Sequence, residues 1–238
     1  MSPDDERSGP ALAVFAHPDD AEICAGGAIA KWCESGREVH LLVLTNGDRG
    51  SSDASIDRAR LAATRLAETE AAGAVLGLAS VSVLGIHDGD LENTDIVREA
   101  VIRRVREVRS ETVVSCDPTA WFFENQYYNH SDHRTAGVIA LDSVFPGAGN
   151  PHFFSEHIAE GLEVREVQDV WLGWTNEPNH FEDVSGSFGT KIEALGKHES
   201  QLADGIRFFE EFLEKDAREA GEKIGSRYAE AFRVLDLS

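Results

Sequence analysis

The chain has 238 residues, 42% hydrophobic and 27% charged, which fits one large α/β domain and excludes intrinsic disorder as its main state. Its 22 basic and 43 acidic side chains give a net charge of −21, a field that repels nucleic acid and anionic membranes. Apolar runs such as Ala11–Ala16 fall far short of the ~18 residues of a membrane span. The acidic start MSPDDERSGP lacks the apolar stretch of a signal peptide, and three cysteines without a CxxC pair read as a reduced, cytoplasmic protein.

Residues 1–10 read as a flexible lead-in and residues 11–238 as a single domain. Ala11–Ala16 is a fully apolar strand, and Ala21–Glu34 a helix whose Gly26 and Gly27 suggest close packing on a sheet. Glu38–Leu44 is a second buried strand, followed by a long helix over Asp57–Leu76 and a third strand at Val81–Leu84. Asp95–Arg109 carries Val97, Val101, Val105 and Val108 at helical spacing, and Thr112–Ser115 is a fourth strand. A polar-aromatic loop, Asp117–Asn129, leads to a helix over Asp132–Val144. Val167–Trp174 is a further strand, and helical stretches over Ser187–Leu202 and Phe208–Ala220 close the chain. Continuous apolar strands alternating with helices specify a Rossmann-like, mostly parallel sheet with helices on both faces, plus a smaller C-terminal strand and helix portion. Ligands of such sheets bind at the carboxyl ends of the strands.

The first strand is followed by His17-Pro18-Asp19-Asp20, with no Gly-rich phosphate loop. Asp19 or Asp20 in that position is open to a plainer reading, as a cap for the next helix. A second cluster, His130-Ser131-Asp132-His133, lies beyond the fourth strand. His17, Asp20 and one of His130 or His133 supply two imidazoles and one carboxylate. Three such ligands with an open fourth position suit a catalytic zinc, and the same set suits Fe(II) or another divalent metal. Asp19 is then free to take a proton from water acidified by the metal. The remaining histidine serves the leaving amine or the tetrahedral intermediate, and Asp132 orients a histidine. The aromatic stretch Thr119–Tyr128 places Trp121 and Tyr128 where a sugar or acyl group can stack. His152, His157 and His180 read as surface or interface residues. The alternative is a non-catalytic metal- or ligand-binding module of the same fold.

HPDD after the first strand and HSDH far downstream resemble the LmbE/PIG-L family of zinc-dependent de-N-acetylases. Thr45–Gly50, Arg65-Leu66-Ala67-Glu68, Asp88-Gly89, His198-Glu199-Ser200-Gln201 and Tyr228–Phe232 extend the resemblance along the chain. It implies a hydrolase that removes an N-acetyl or other N-acyl group from an N-acetylglucosamine-type conjugate. By motif position, His17, Asp20 and His133 are the metal ligands and Asp19 the general base. His130 assists the intermediate or leaving group with Asp132 as its partner, and Tyr128, or its neighbour Tyr127, polarises the carbonyl. Arg65 and Asp88 match sugar contacts, Arg49 adds local positive charge, and His198 reaches the site through the Ser-Gln turn. The resemblance also implies a homo-oligomer, trimer or hexamer. Glu commonly follows HPDD directly in this family. Here Ala21 stands there and Glu22 comes next.

Overall fold

The computed structural model describes residues 8–202 and 206–238. Residues 1–7 of the expected lead-in lie outside the described residues. Its last residues are tied down: Gly9 N–H donates to Glu111 Oε2 (3.0 Å), and Glu111 N–H donates to the Pro10 carbonyl (2.8 Å).

Strands β1 (Ala11–Phe15), β2 (Val39–Thr45), β3 (Ser80–Ile86) and β4 (Thr112–Cys116) alternate with helices α1 (Asp20–Glu34), α2 (Arg58–Leu76) and α3 (Asp95–Val108). A two-stranded hairpin, β5 (Phe122–Phe123) and β6 (Tyr127–Tyr128), precedes α4 (Ser131–Asp142) and the short α5 (Ser155–Ala159). The chain then forms β7 (Asp169–Gly173), β8 (His180–Asp183), α6 (Phe188–Leu195), α7 (Ile206–Glu222) and β9 (Ala229–Asp236). The seven-stranded sheet runs β3-β2-β1-β4-β7-β9-β8, parallel from β3 to β7, with β9 antiparallel to both of its neighbours. The mostly parallel α/β architecture is therefore as the sequence indicates. Strands β8 and β9 and the hairpin are additions that the sequence reading passed over.

The wholly apolar β1 has a simple cause. Alternate side chains point to opposite faces of a sheet, and both faces are covered here. Ala11, Ala13 and Phe15 join a core with Ile29, Trp32 and Trp171, while Leu12 and Val14 join another with Val101, Val105 and Ile139. Strand order reverses between β1 and β4, which opens a crevice at their carboxyl ends.

The C-terminal portion grips α1 at its middle. Glu230 on β9 accepts from the Gly27 and Ala28 N–H groups (2.9 and 2.8 Å), and Lys191 Nζ donates to Glu230 (2.6 Å) and to the Ile23 carbonyl (3.0 Å). A Cβ on Gly27 would stand 2.8 Å from Val184 Cβ, and one on Gly26 3.0 Å from Lys191 Cγ. The two glycines thus admit α6, the turn before it and the Glu230 side chain of sheet strand β9. Among the described residues, no helix is long and apolar enough to cross a membrane.

Candidate active site

His17 leaves the end of β1, and the next three residues turn into α1. Asp20 Oδ2 accepts from the His17 N–H (2.8 Å), and the Asp20 N–H returns to the His17 carbonyl (3.3 Å). His133 reaches the same point from the first turn of α4. The facing groups are His17 Nδ1, the Asp20 carboxylate and His133 Nε2. The two histidine nitrogens stand 3.1 Å apart, and Asp20 meets them with different oxygens, Oδ1 at 3.1 Å from His133 Nε2 and Oδ2 at 3.5 Å from His17 Nδ1. Ligand atoms about 2.0–2.2 Å from one tetrahedral metal stand about 3.3–3.6 Å from each other. The three side chains converge closely enough to hold one metal ion between them, and all are buried. His133 is fixed for this by Asn129, whose Oδ1 lies 2.9 Å from His133 Nδ1 and so leaves the Nε2 lone pair facing the centre. Asn129 is itself fully buried, with its amide on the Ala120 carbonyl (2.8 Å).

A second grouping, His17, His130 and Asp132, lies on the other edge of the His17 ring. There His17 Nε2 stands 3.2 Å from Asp88 and 3.4 Å from Asp132, with no aligned hydrogen bond. Asp132 Oδ2 already accepts from the Gly89 N–H (2.7 Å). This edge sets two carboxylates beside the His17 ring. Burial works to lower the His17 pKa, but Asp20, Asp132 and Asp88 outweigh it and push it up to about 12. Three carboxylates around one buried imidazole make that point strongly electronegative. Burial works to raise the Asp20 carboxyl, yet His133 and His17 hold it well below the ordinary carboxylate range.

Asp19 occupies the capping position of α1 but caps nothing. Its backbone is left-handed (φ 99°), and no side chain bonds to the first helical N–H groups. The plainer capping reading of Asp19 therefore fails. Its carboxylate stays 17% exposed and lies 3.3 Å from Arg65 Nη2. Burial pushes its pKa up, Arg65 pulls it down, Asp20 pushes it up again, and the balance is about 6.

His130 caps α4 with its ring, Nδ1 accepting from the Asp132 N–H (3.1 Å). Its engagement with Asp132 thus runs through the main chain, while the Asp132 carboxylate faces His17. Burial and the charge of His17 hold the His130 pKa below its usual value.

The remaining expected residues divide. Arg65 is 2% exposed and donates to the Pro18 and Gly47 carbonyls, so it holds the HPDD turn and is not free for a sugar. Arg49 is spent on Asp90 (2.6 and 2.7 Å) and the Asp88 carbonyl. His198 is fully buried and is kept from any substrate. Trp121 is half exposed, with the Arg134 guanidinium 3.8 Å over its ring, and the Tyr128 hydroxyl accepts from Arg134 (3.2 Å). Tyr128 thus belongs to the outer face of the hairpin. Tyr127, on the opposite face, has the phenol on which Asp20 and His17 act, with burial raising its pKa most. Asn129 is not among the residues that the sequence motifs single out. Asn129 had a local signal, a carboxamide one helical turn before a ligand histidine.

The PIG-L family profile, described as GlcNAc-PI de-N-acetylase, matches residues 12–144. The diacetylchitobiose deacetylase of Thermococcus kodakarensis is 34% identical over 225 residues, 94% of this chain and 82% of that protein. The 1D-myo-inositol 2-acetamido-2-deoxy-alpha-D-glucopyranoside deacetylase of Rhodococcus erythropolis is 28% identical, with 80% of each chain covered. The solved N,N'-diacetylchitobiose deacetylase of Pyrococcus horikoshii, bound to its inhibitor MPG, superposes with a TM-score of 0.89 at 31% identity, over 99% of this chain and 86% of that one.

Proposed function

The chain belongs to the PIG-L family, and from that premise we propose that it removes the N-acetyl group of an N-acetylglucosamine-type sugar, with zinc as its metal. The observation that carries this reading is the three-cornered His17, Asp20 and His133 set beside an Asp19 that caps no helix. Relatives named as deacetylases favour it over a binding module of the same fold. N,N'-diacetylchitobiose is the substrate of choice, because the relatives named for it match this chain nearly end to end.

His17, Asp20 and His133 would hold a divalent cation, which would supply Lewis acidity toward an amide carbonyl and lower the pKa of water. Asp19, largely shielded and held by Arg65, accepts the proton of the attacking water. With its Nδ1 lone pair taken by the Asp132 N–H, neutral His130 carries its proton on Nε2. That N–H donates to the oxygen that gains negative charge as the carbonyl is attacked. The proton held by Asp19 passes to the departing amine, so one amide and one water become acetate and an amino sugar. Asp88 and Asp132 keep the His17 ring in place from behind. Trp121, backed by Arg134, offers its open face to the sugar ring beyond the reacting one.

The test is acetate release from N,N'-diacetylchitobiose and N-acetylglucosamine by metal-stripped protein, before and after adding zinc or Fe(II). Release that depends on the added metal supports the reading. Stoichiometric metal binding with no release from either sugar overturns it.

A further inference from the structure

We infer that Glu22 and His198 form a buried pair that positions Asp19. Both side chains have no exposed surface, and His198 Nε2 lies 3.4 Å from Glu22 Oε2. None of their four side-chain polar atoms makes a hydrogen bond. Burying a carboxylate and an imidazole with so little satisfaction costs stability, and apolar residues of similar volume would pack at lower cost. A pair kept under those terms needs a reason outside stability.

The reason lies in its place. Glu22 is the third residue of α1, from where a glutamate ordinarily reaches back to the N–H of the capping residue. Here that residue is Asp19, and Glu22 makes no such bond. Its carboxylate faces His198 instead. His198 in turn is delivered by the 3-10 turn Glu199–Gln201. Ser200 seats that turn on Glu68 of α2 through its N–H (2.7 Å) and its hydroxyl (2.6 Å). Glu68 stands three residues after Arg65, on the same helix face. Arg65 Nη2 is 3.3 Å from Asp19 Oδ1. Gly50 closes the loop: a Cβ there would stand 2.4 Å from Arg65 Nη1 and 2.9 Å from Gln201 Oε1. One helix therefore holds both the arginine that grips Asp19 and the turn that carries His198. The charges of His198 and Arg65 both act on the Asp19 carboxyl. Glu22 stands three residues after Asp19 at the start of α1 and Arg65 bears on the Asp19 carboxylate, so on this inference the pair and Arg65 together keep the strained backbone of Asp19 from relaxing into an ordinary cap.

This inference rests on Asp19 as the proton acceptor in deacetylation, and the experiment separates the two. In zinc-loaded protein, kcat and KM for N,N'-diacetylchitobiose and bound zinc per chain are measured for His198→Ala, His198→Gln, Asp19→Asn and the double variant Asp19→Asn/His198→Ala. His198→Ala should lower kcat about 10–100-fold, in the range of lost supporting partners, with KM within twofold and zinc fully retained. His198→Gln should recover at least threefold of that loss. The double variant should be no slower than Asp19→Asn alone, because His198 acts through Asp19. An unchanged kcat, a raised KM at unchanged kcat, lost zinc, or a double variant whose losses multiply would overturn the pairing. Asp19→Asn with full activity would instead overturn the parent reading, whatever His198 does. Should His198→Ala fail to fold, Glu22→Gln takes its place with the same expected loss in kcat and the same overturning results.

Discussion

Helices α1 and α2 both begin behind an aspartate, and the two aspartates do opposite things. Asp57 has an ordinary extended backbone (φ −69°), and its carboxylate accepts from the Arg60 N–H at 2.7 Å. Asp19 has a left-handed backbone (φ 99°), and its carboxylate bonds to no helical N–H. A cap of the Asp57 kind contributes about 1 kcal/mol. A strained residue of the Asp19 kind costs about 1–3 kcal/mol. The same residue type at the same helical position is spent on stability in one case and withheld from it in the other. The withheld one lies at the strand-order reversal, beside His17 and Asp20. A rule broken locally, without local gain, marks the chemistry.

The comparison breaks most severely if the centre beside Asp19 is not a metal centre. Asp20→Ala and His133→Ala should each abolish stoichiometric zinc binding and activity, checked by metal analysis after dialysis. Retention of one zinc per chain by both variants would remove the premise. Next in size is Asp19→Asn. It keeps the shape and tolerates the left-handed backbone, so zinc should stay while kcat falls about 10²–10⁴-fold. Asp19→Gly adds a sharper arm. Glycine relieves the strain, so this variant should melt higher by about 2–4 °C for roughly 1 kcal/mol gained, while being equally inactive. A lower melting temperature would show that the turn is not strained in the sense proposed.

Much of this was legible because its carriers are local. HPDD and HSDH each pack three ionisable groups into four residues, and β1 announces a doubly covered sheet through five apolar residues in a row. What escaped depends on distance. His157 reads as a surface or interface residue, yet it is fully buried within the chain against Arg106 and Glu99, which lie 51 and 58 positions earlier. Arg65 matches a sugar contact by motif, but its acceptors, Pro18 and Gly47, come from loops that only the fold brings together. By motif His198 matches a residue that reaches the site, but it is fully buried, and no pattern in His-Glu-Ser-Gln reveals that Glu68 seats its turn. The choice between Tyr127 and Tyr128 turns on a two-residue strand, β6, too short to show its alternation in sequence.

Asn129 tests the comparison from the opposite side of the centre. Asn129→Ala frees His133 Nδ1 and should weaken zinc binding about 10–100-fold, measured by chelator competition. It should leave kcat near normal at saturating zinc, because Asp19 is untouched. A kcat that falls at full zinc loading would mean that the two sides of the centre are not independent.

The smallest effect is expected at Asp57, and it decides whether the comparison is between two roles or only between two degrees of one. Asp57→Ala removes a cap from the same helix that carries Arg65 and Glu68. It should cost about 1 kcal/mol, or about 2–4 °C in Tm for a domain of this size. Loss of a cap frays the first turn. Arg65 lies seven positions after the first helical residue, Arg58, about two turns in, and is anchored independently at Pro18, Gly47 and Asp19. Fraying should therefore stop before it, and kcat and KM should stay within twofold of the parent protein. A drop in kcat that tracks the lost stability would mean that the capped start of α2 also holds Asp19 in place. The aspartate at α2 would then serve chemistry through its helix, as the aspartate at α1 serves it directly.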